Sequence, residues 1–182
     1  GFTVHATVRD KTNQNKVSHL QTLIDEHPGK LTLFNADLFN NGDFDASMEG
    51  CEFVFHTASP FIIRGLNDPQ AELIDPALKG TRNVLESANR THSVKRVILT
   101  SSVVAIYGDY IDMQSTEKGI FTEAHWNTTS SINHQPYSYS KTLAEQEAIK
   151  IHAAQSRWDM VTVNPGLVLG PSLAKASDST SL

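Results

Sequence analysis

Residues 94–102 read VKRVILTSS: an apolar run, Val97-Ile98-Leu99, entered by two cations and left by three hydroxyls. Apolar residues that follow one another without alternation mark a strand covered on both faces, the habit of parallel sheets. Residues 52–58, with Phe53, Val54 and Phe55, and residues 160–163, Met-Val-Thr-Val, repeat the pattern. Two more strands are expected over residues 2–8, where Phe2, Val4, Ala6 and Val8 alternate with polar neighbours, and over residues 31–36. Helices fall between. Val17, Leu20, Leu23 and Ile24 recur at helical spacing until His27-Pro28-Gly29 stops them. Asp68 and Pro69 supply a cap and a first-turn proline for a helix running to about Asn89, which Pro76 should kink or restart. Residues 138–156 read as a further helix with Ala144, Ala148 and Ile151 on one stripe. This alternation is that of a doubly wound, parallel α/β sheet. Ligands of such sheets lie beyond the carboxyl ends of the strands, so the segments following residues 58, 102 and 163 are where chemistry is expected. A polar stretch over 109–136 is longer than an ordinary connection, the mark of a functional or disordered segment.

Composition narrows the function. The chain has 182 residues, 39% of them hydrophobic, and a net charge of −5 without basic runs, so neither a nucleic acid nor an anionic membrane is an expected partner. A single cysteine, Cys51, excludes an internal disulfide and any multi-cysteine zinc site, and no histidine pair has metal-ligand spacing. No apolar run approaches the ~18 residues of a membrane helix, and a cytoplasmic location is expected. Gly1 rather than methionine begins the chain, the expectation being a piece of a longer protein.

Tyr137 and Lys141 stand four apart at the start of a helix, hence on one face. Alone, the pair reads more readily as a solvated helix start, and Ser101-Ser102 as hydroxyls that satisfy a turn. Together, in this order and separated by a polar loop, they are the parts of a carbonyl reductase: a proton donor, a cation that lowers its pKa, and a hydroxyl for the carbonyl oxygen. Arg9 and Lys16 flank the end of the first strand, where a basic residue accommodates the 2′-phosphate of NADP; Asp10 could take a ribose hydroxyl or simply neutralise Arg9. His56, ending a buried strand, reads as a core histidine, and Cys51 has no evident partner to make it a nucleophile. No glycine-rich phosphate motif of the G-x-G-x-x-G kind occurs.

GFTVHATVRD, LTLFNADL, CEFVFHTASPF, VKRVILTSS, PYSYSKTLAEQEA and NPGLVLGP, in that order and spacing, resemble the extended short-chain dehydrogenase/reductases (the NAD-dependent epimerase/dehydratase superfamily). Nearest are the dihydroflavonol 4-reductase, cinnamoyl-CoA reductase and fungal carbonyl reductase subgroup. The resemblance implies a Rossmann-like fold with Ser102, Tyr137 and Lys141 as catalytic residues and NADP(H) as cofactor. It implies cofactor contacts from Arg9 and Lys16 (2′-phosphate), Asp37 and Leu38 (adenine), Thr57, Ala58 and Ser59 (phosphates and ribose), Tyr137 and Lys141, and Pro165 and Val168 (nicotinamide). Residues 1–182 would form a partial NADP-binding domain, with a substrate-binding region starting after about residue 171. The family's first strand, glycine-rich turn and first helix would precede Gly1. On this reading the chain alone is expected to be inactive and poorly folded.

The expected activity is reversible NADPH-dependent reduction of a small-molecule aldehyde or ketone. A sugar-nucleotide epimerase or dehydratase holding NAD is the alternative, opposed by Arg9 and by Val103 where a dehydratase would carry an acid after its serine. A non-catalytic dinucleotide-binding protein is the third reading, opposed by the presence of all three catalytic side chains. Substrate identity and oligomeric state are not legible.

Overall fold

The computed structural model describes residues 1–60 and 65–170; the substrate region expected after about residue 171 lies outside the described residues. Among these, the elements are β1 (Val4–Val8), α1 (Gln14–Glu26), β2 (Leu31–Asn35), α2 (Asp45–Met48), β3 (Phe53–His56), α3 (Asp75–Arg90), β4 (Arg96–Thr100), α4 (Pro136–Ala153) and β5 (Asp159–Val163). Every named strand pairing is parallel, as the unbroken apolar runs require. They form two sheets rather than one: β1 with β2, and β3 through β4 to β5. The short α2 has no apolar periodicity long enough to be read in advance.

Local chemistry sets the helix boundaries. Asp68 Oδ1 accepts from the N–H groups of Gln70 and Ala71 at 3.0 and 3.1 Å, while Glu72 Oε1 accepts from those of Asn67 and Asp68. This reciprocal cap opens a π-wound turn, Gln70–Ile74. Pro76 then sits in the first turn of α3, where its missing N–H is harmless, so the proline restarts the helix.

The register aligns Val54, Val97 and Met160 in one row, and His56, Leu99 and Thr162 two residues on, on the same face. That face packs on Val84, Leu85 and Ala88 of α3 and Ala148 of α4, in a core that also takes in Ala36, Phe44 and Met48. The opposite face does not match expectation. Phe53, Phe55, Val161 and Val163 are exposed, Phe55 to 70%. The apolar runs are those of a sheet covered twice; the described residues cover it once.

The stretch over 109–136 is not featureless. It holds 3-10 turns at Tyr110–Ser115 and Glu117–Gly119. Buried Asn127 pins it to the end of β4: its Nδ2 donates to Val104 O at 2.8 Å, and its Oδ1 accepts from the N–H groups of Thr129 and Ser130.

Candidate functional site

Helix α4 buries Ser138, Ser140, Lys141, Thr142, Glu145 and Ala148. Of the apolar stripe expected at Ala144, Ala148 and Ile151, Ala148 is in the core, Ile151 packs against it and Ala144 is half-buried, but the rest of the inward face is polar. Burying such a face is unfavourable unless each group finds a partner. Thr142 Oγ1 donates to Ser138 O at 2.9 Å and Ser140 Oγ to Tyr137 O at 2.7 Å, which uses the helix's own carbonyls. Lys141 Nζ donates to Ser59 Oγ at 3.3 Å, joining α4 to the segment that follows β3.

The helix starts under strain. Gln135, directly before Pro136 and Tyr137, holds φ 54° and ψ 58°, a left-handed conformation that costs a non-glycine residue roughly 1–2 kcal/mol. Its side chain repays this locally: Nε2 donates to Asp109 Oδ1 at 2.7 Å, and Oε1 accepts from Ser138 Oγ at 3.3 Å. His134 Nε2 lies 3.0 Å from Asp109 Oδ2. The turn that aims Tyr137 is therefore fixed by Asp109, 28 positions upstream.

Three strand ends meet this helix face. Ser102 follows β4 in extended conformation, and its Oγ accepts from Val104 N at 3.4 Å; α4 packs against the turn at Val103–Ala105. Asn164 follows β5, and its Nδ2 donates to both Ser102 O (3.1 Å) and Glu145 Oε2 (2.9 Å). Pro165 O accepts from Val103 N at 3.0 Å. Thr57, Ala58 and Ser59, beyond β3, are exposed, as is Val168.

Burial shapes the electrostatics. His56 is buried as expected, and burial, with the Lys141 charge second, pulls its pKa down to about 4. Burial also lowers Lys141 below the ordinary ammonium range, with the Glu145 charge opposing it. The lowering of the Tyr137 pKa expected from Lys141 is corrected: burial pushes the phenol up instead. Cys51 does have a neighbour, His5 Nδ1 at 3.5 Å, but burial pushes the thiol up, away from the thiolate a nucleophile needs.

Arg9 and Lys16 are exposed in and after the loop leaving β1. Asp10 Oδ1 accepts from Thr12 N at 2.8 Å and from Thr12 Oγ1 at 2.6 Å, and these bonds hold its carboxyl low. Both bonds fall on Oδ1 and orient the carboxylate within its own turn. The register pairing Val8 with Asn35 sets Arg9 beside the exit of β2, where Asp37 Oδ1 accepts from Phe39 N and Leu38 rests on Gly80 of α3. A Cβ on Gly80 would come within 3.3 Å of Leu38.

Four residues near these groups escape sequence reasoning. Glu145 could have been found, since it lies one turn past Lys141 on the same face. Asn164 reads from sequence only as part of an Asn-Pro-Gly turn. Tyr107 and Phe121, stacked at 5.1 Å, line a cleft of about 490 Å³ together with Val103, Ile106 and Asn164; residues 14 apart in an irregular segment give no periodic signal.

The profile of the NAD dependent epimerase/dehydratase family matches residues 1–182. The chain is 47% identical over 178 residues to a cinnamoyl-CoA reductase of Medicago truncatula, covering 95% of this chain and 52% of that protein. It is 42% identical over 176 residues to an anthocyanidin reductase of Vitis vinifera, covering 95% and 51%. Among solved structures, Gre2 of Candida albicans in complex with NADPH superposes with a TM-score of 0.79 at 29% identity, over 94% of this chain and 52% of that one. The chain spans about half the length of the curated relatives it matches.

Proposed function

The chain belongs to the NAD dependent epimerase/dehydratase family, and on that premise we propose that it is the greater part of the cofactor-binding domain of an NADPH-dependent carbonyl reductase working through Ser102, Tyr137 and Lys141. The observation that carries the reading is the meeting of α4 with the ends of β3, β4 and β5, through Lys141 to Ser59 and through Asn164 to Ser102. The residues present suit a phosphorylated dinucleotide: two exposed cations follow β1, and the nearby acid, Asp10, is engaged by Thr12. Arg9 and Lys16 would hold the 2′-phosphate, Asp37 and Leu38 the adenine, Thr57 to Ser59 the phosphates and ribose, and Pro165 and Val168 the nicotinamide side.

NADPH, when bound, supplies the hydride. Tyr137 holds the proton that goes to the carbonyl oxygen; a phenol is protonated at neutral pH, the form a general acid needs, and burial does not change that. Lys141, as an ammonium, stabilises the phenolate left behind and holds the ribose. Ser102 accepts one bond from Val104 N and retains its own hydroxyl proton to donate to the oxygen as negative charge develops there. The cleft walled by Tyr107 and Phe121 begins at Val103, next to Ser102, and favours a carbonyl attached to an apolar or aromatic group.

The test is initial-rate NADPH oxidation by the full-length protein over aromatic, aliphatic and steroid carbonyls. Turnover on the aromatic members with NADPH well preferred over NADH is expected. No turnover with any carbonyl would overturn the proposal.

A further inference from the structure

Glu145 is a carboxylate only 9% exposed, on a helix face where uncharged residues would pack more cheaply. Its Oε2 accepts from Asn164 Nδ2 at 2.9 Å, and the same amide nitrogen donates to Ser102 O at 3.1 Å. Both amide hydrogens are thereby committed, one to α4 and one to the exit of β4, which fixes the rotation of Asn164 and ties three elements at one point. We propose that Glu145 and Asn164 are positioning residues, a strut that holds the Ser102 backbone and the Lys141 side chain in register with each other. The inference rests on the reading of Ser102 and Lys141 given above.

Glu145 has a second effect along its own helix. It stands one turn past Lys141 on the buried face, so its charge favours the ammonium that burial disfavours. Among the described residues, the other titratable groups near Lys141 are His56 from β3, neutral at pH 7, and Tyr137, one turn before it on α4. Ser102 and Asn164, at the exits of β4 and β5, carry no charge. Glu145 is the group that balances the buried cation, and Asn164 is what keeps Glu145 in place.

The two roles separate by substitution in the full-length protein. Glu145→Gln keeps an acceptor for Asn164 but removes the charge. In the cofactor-free protein, a carbon-13 titration of the Lys141 side chain, assigned by its loss in Lys141→Arg, should show the ammonium deprotonating at lower pH in Glu145→Gln than in wild type. An unmoved titration overturns the charge role. Asn164→Leu removes both donors at similar volume; it should leave NADPH affinity near wild type yet lower kcat by up to about 10²-fold, the effect of misplacing reacting groups by about 1 Å. A wild-type kcat in Asn164→Leu overturns the strut. If Glu145→Gln does not fold, Glu145→Asp decides instead. It keeps the charge but shortens the reach, so it should titrate as wild type with reduced kcat, and an unchanged kcat overturns the proposal. A wild-type protein that reduces no carbonyl defeats the reading of the function, whereas the Lys141 titration still decides the role of the Glu145 charge.

Discussion

His56 ends β3 as a buried, neutral imidazole within reach of the Lys141 charge, and its environment makes stability depend on pH. Its pKa is about 4 in the folded chain against an ordinary 6.5. Between these values the unfolded chain binds a proton that the folded chain does not. Stability is therefore full above about pH 6.5 and falls as the pH drops toward 4, by up to about 3 kcal/mol. Asp45 and Glu147, held low by Arg90 and Arg82, lose their contributions only further down, through the carboxylate range. Denaturant midpoints of the full-length protein at pH 7 and pH 5 should thus differ in wild type and converge in His56→Gln; equal pH sensitivity in the two would contradict the account. At the other end of the site, Arg9→Ala should erode the preference for NADPH while leaving NADH-supported turnover largely intact, read as the ratio of kcat/KM values. Equal use of both cofactors by wild type would mean that Asp10 serves the ribose after all. Ser102→Ala should lower kcat, and by less than loss of the tyrosine does, because it removes one hydrogen bond to the developing charge.

Among the elements, the segment before α4 is the one whose order the sequence hid. Gly108 shows how tightly it is built: a Cβ there would lie 2.2 Å from Thr129 Oγ1 and 2.6 Å from Asn127 Oδ1, atoms already committed to Asp112 and to the Ser130 N–H. Gly108→Ala should destabilise the protein by about 1–3 kcal/mol, as overpacking does, and should lower activity by loosening Asp109, the partner of Gln135. A thermal midpoint equal to wild type would contradict this. The strands and long helices were legible because they rest on periodicity: the apolar run at Val97-Ile98-Leu99 became β4, and Pro76 restarted α3 as proline chemistry requires. The 109–136 segment rests instead on single side chains, Asn127 and Asp109, reaching backbone and polar groups far along the chain, and no repeat announces such bonds. The same holds for α4. Spacing puts Tyr137, Lys141 and Glu145 on one face of α4, whereas the bond to Glu145 from Asn164, at the exit of β5, has no signal in the sequence.

At the scale of the whole molecule, among the described residues the β3–β4–β5 sheet has helices on one face only, and β1 and β3 have no strand partner on their outer edges. Phe53, Phe55, Val161 and Val163 stand in water where the apolar runs call for cover. Bare apolar faces and open edges adhere. Residues 1–182 as an isolated polypeptide should therefore elute as oligomers or aggregates in size-exclusion chromatography; a monodisperse monomer would contradict this reading of the open face. The central claim, that the meeting of α4 with three strand ends is a reductase site with Tyr137 as its acid, is tested most directly in Tyr137→Phe of the full-length protein, by measuring NADPH binding by fluorescence alongside kcat on a reducible carbonyl. The account predicts affinity near wild type with kcat lower by about 10²–10⁴-fold, the worth of general acid catalysis; a near-normal kcat in Tyr137→Phe would contradict it.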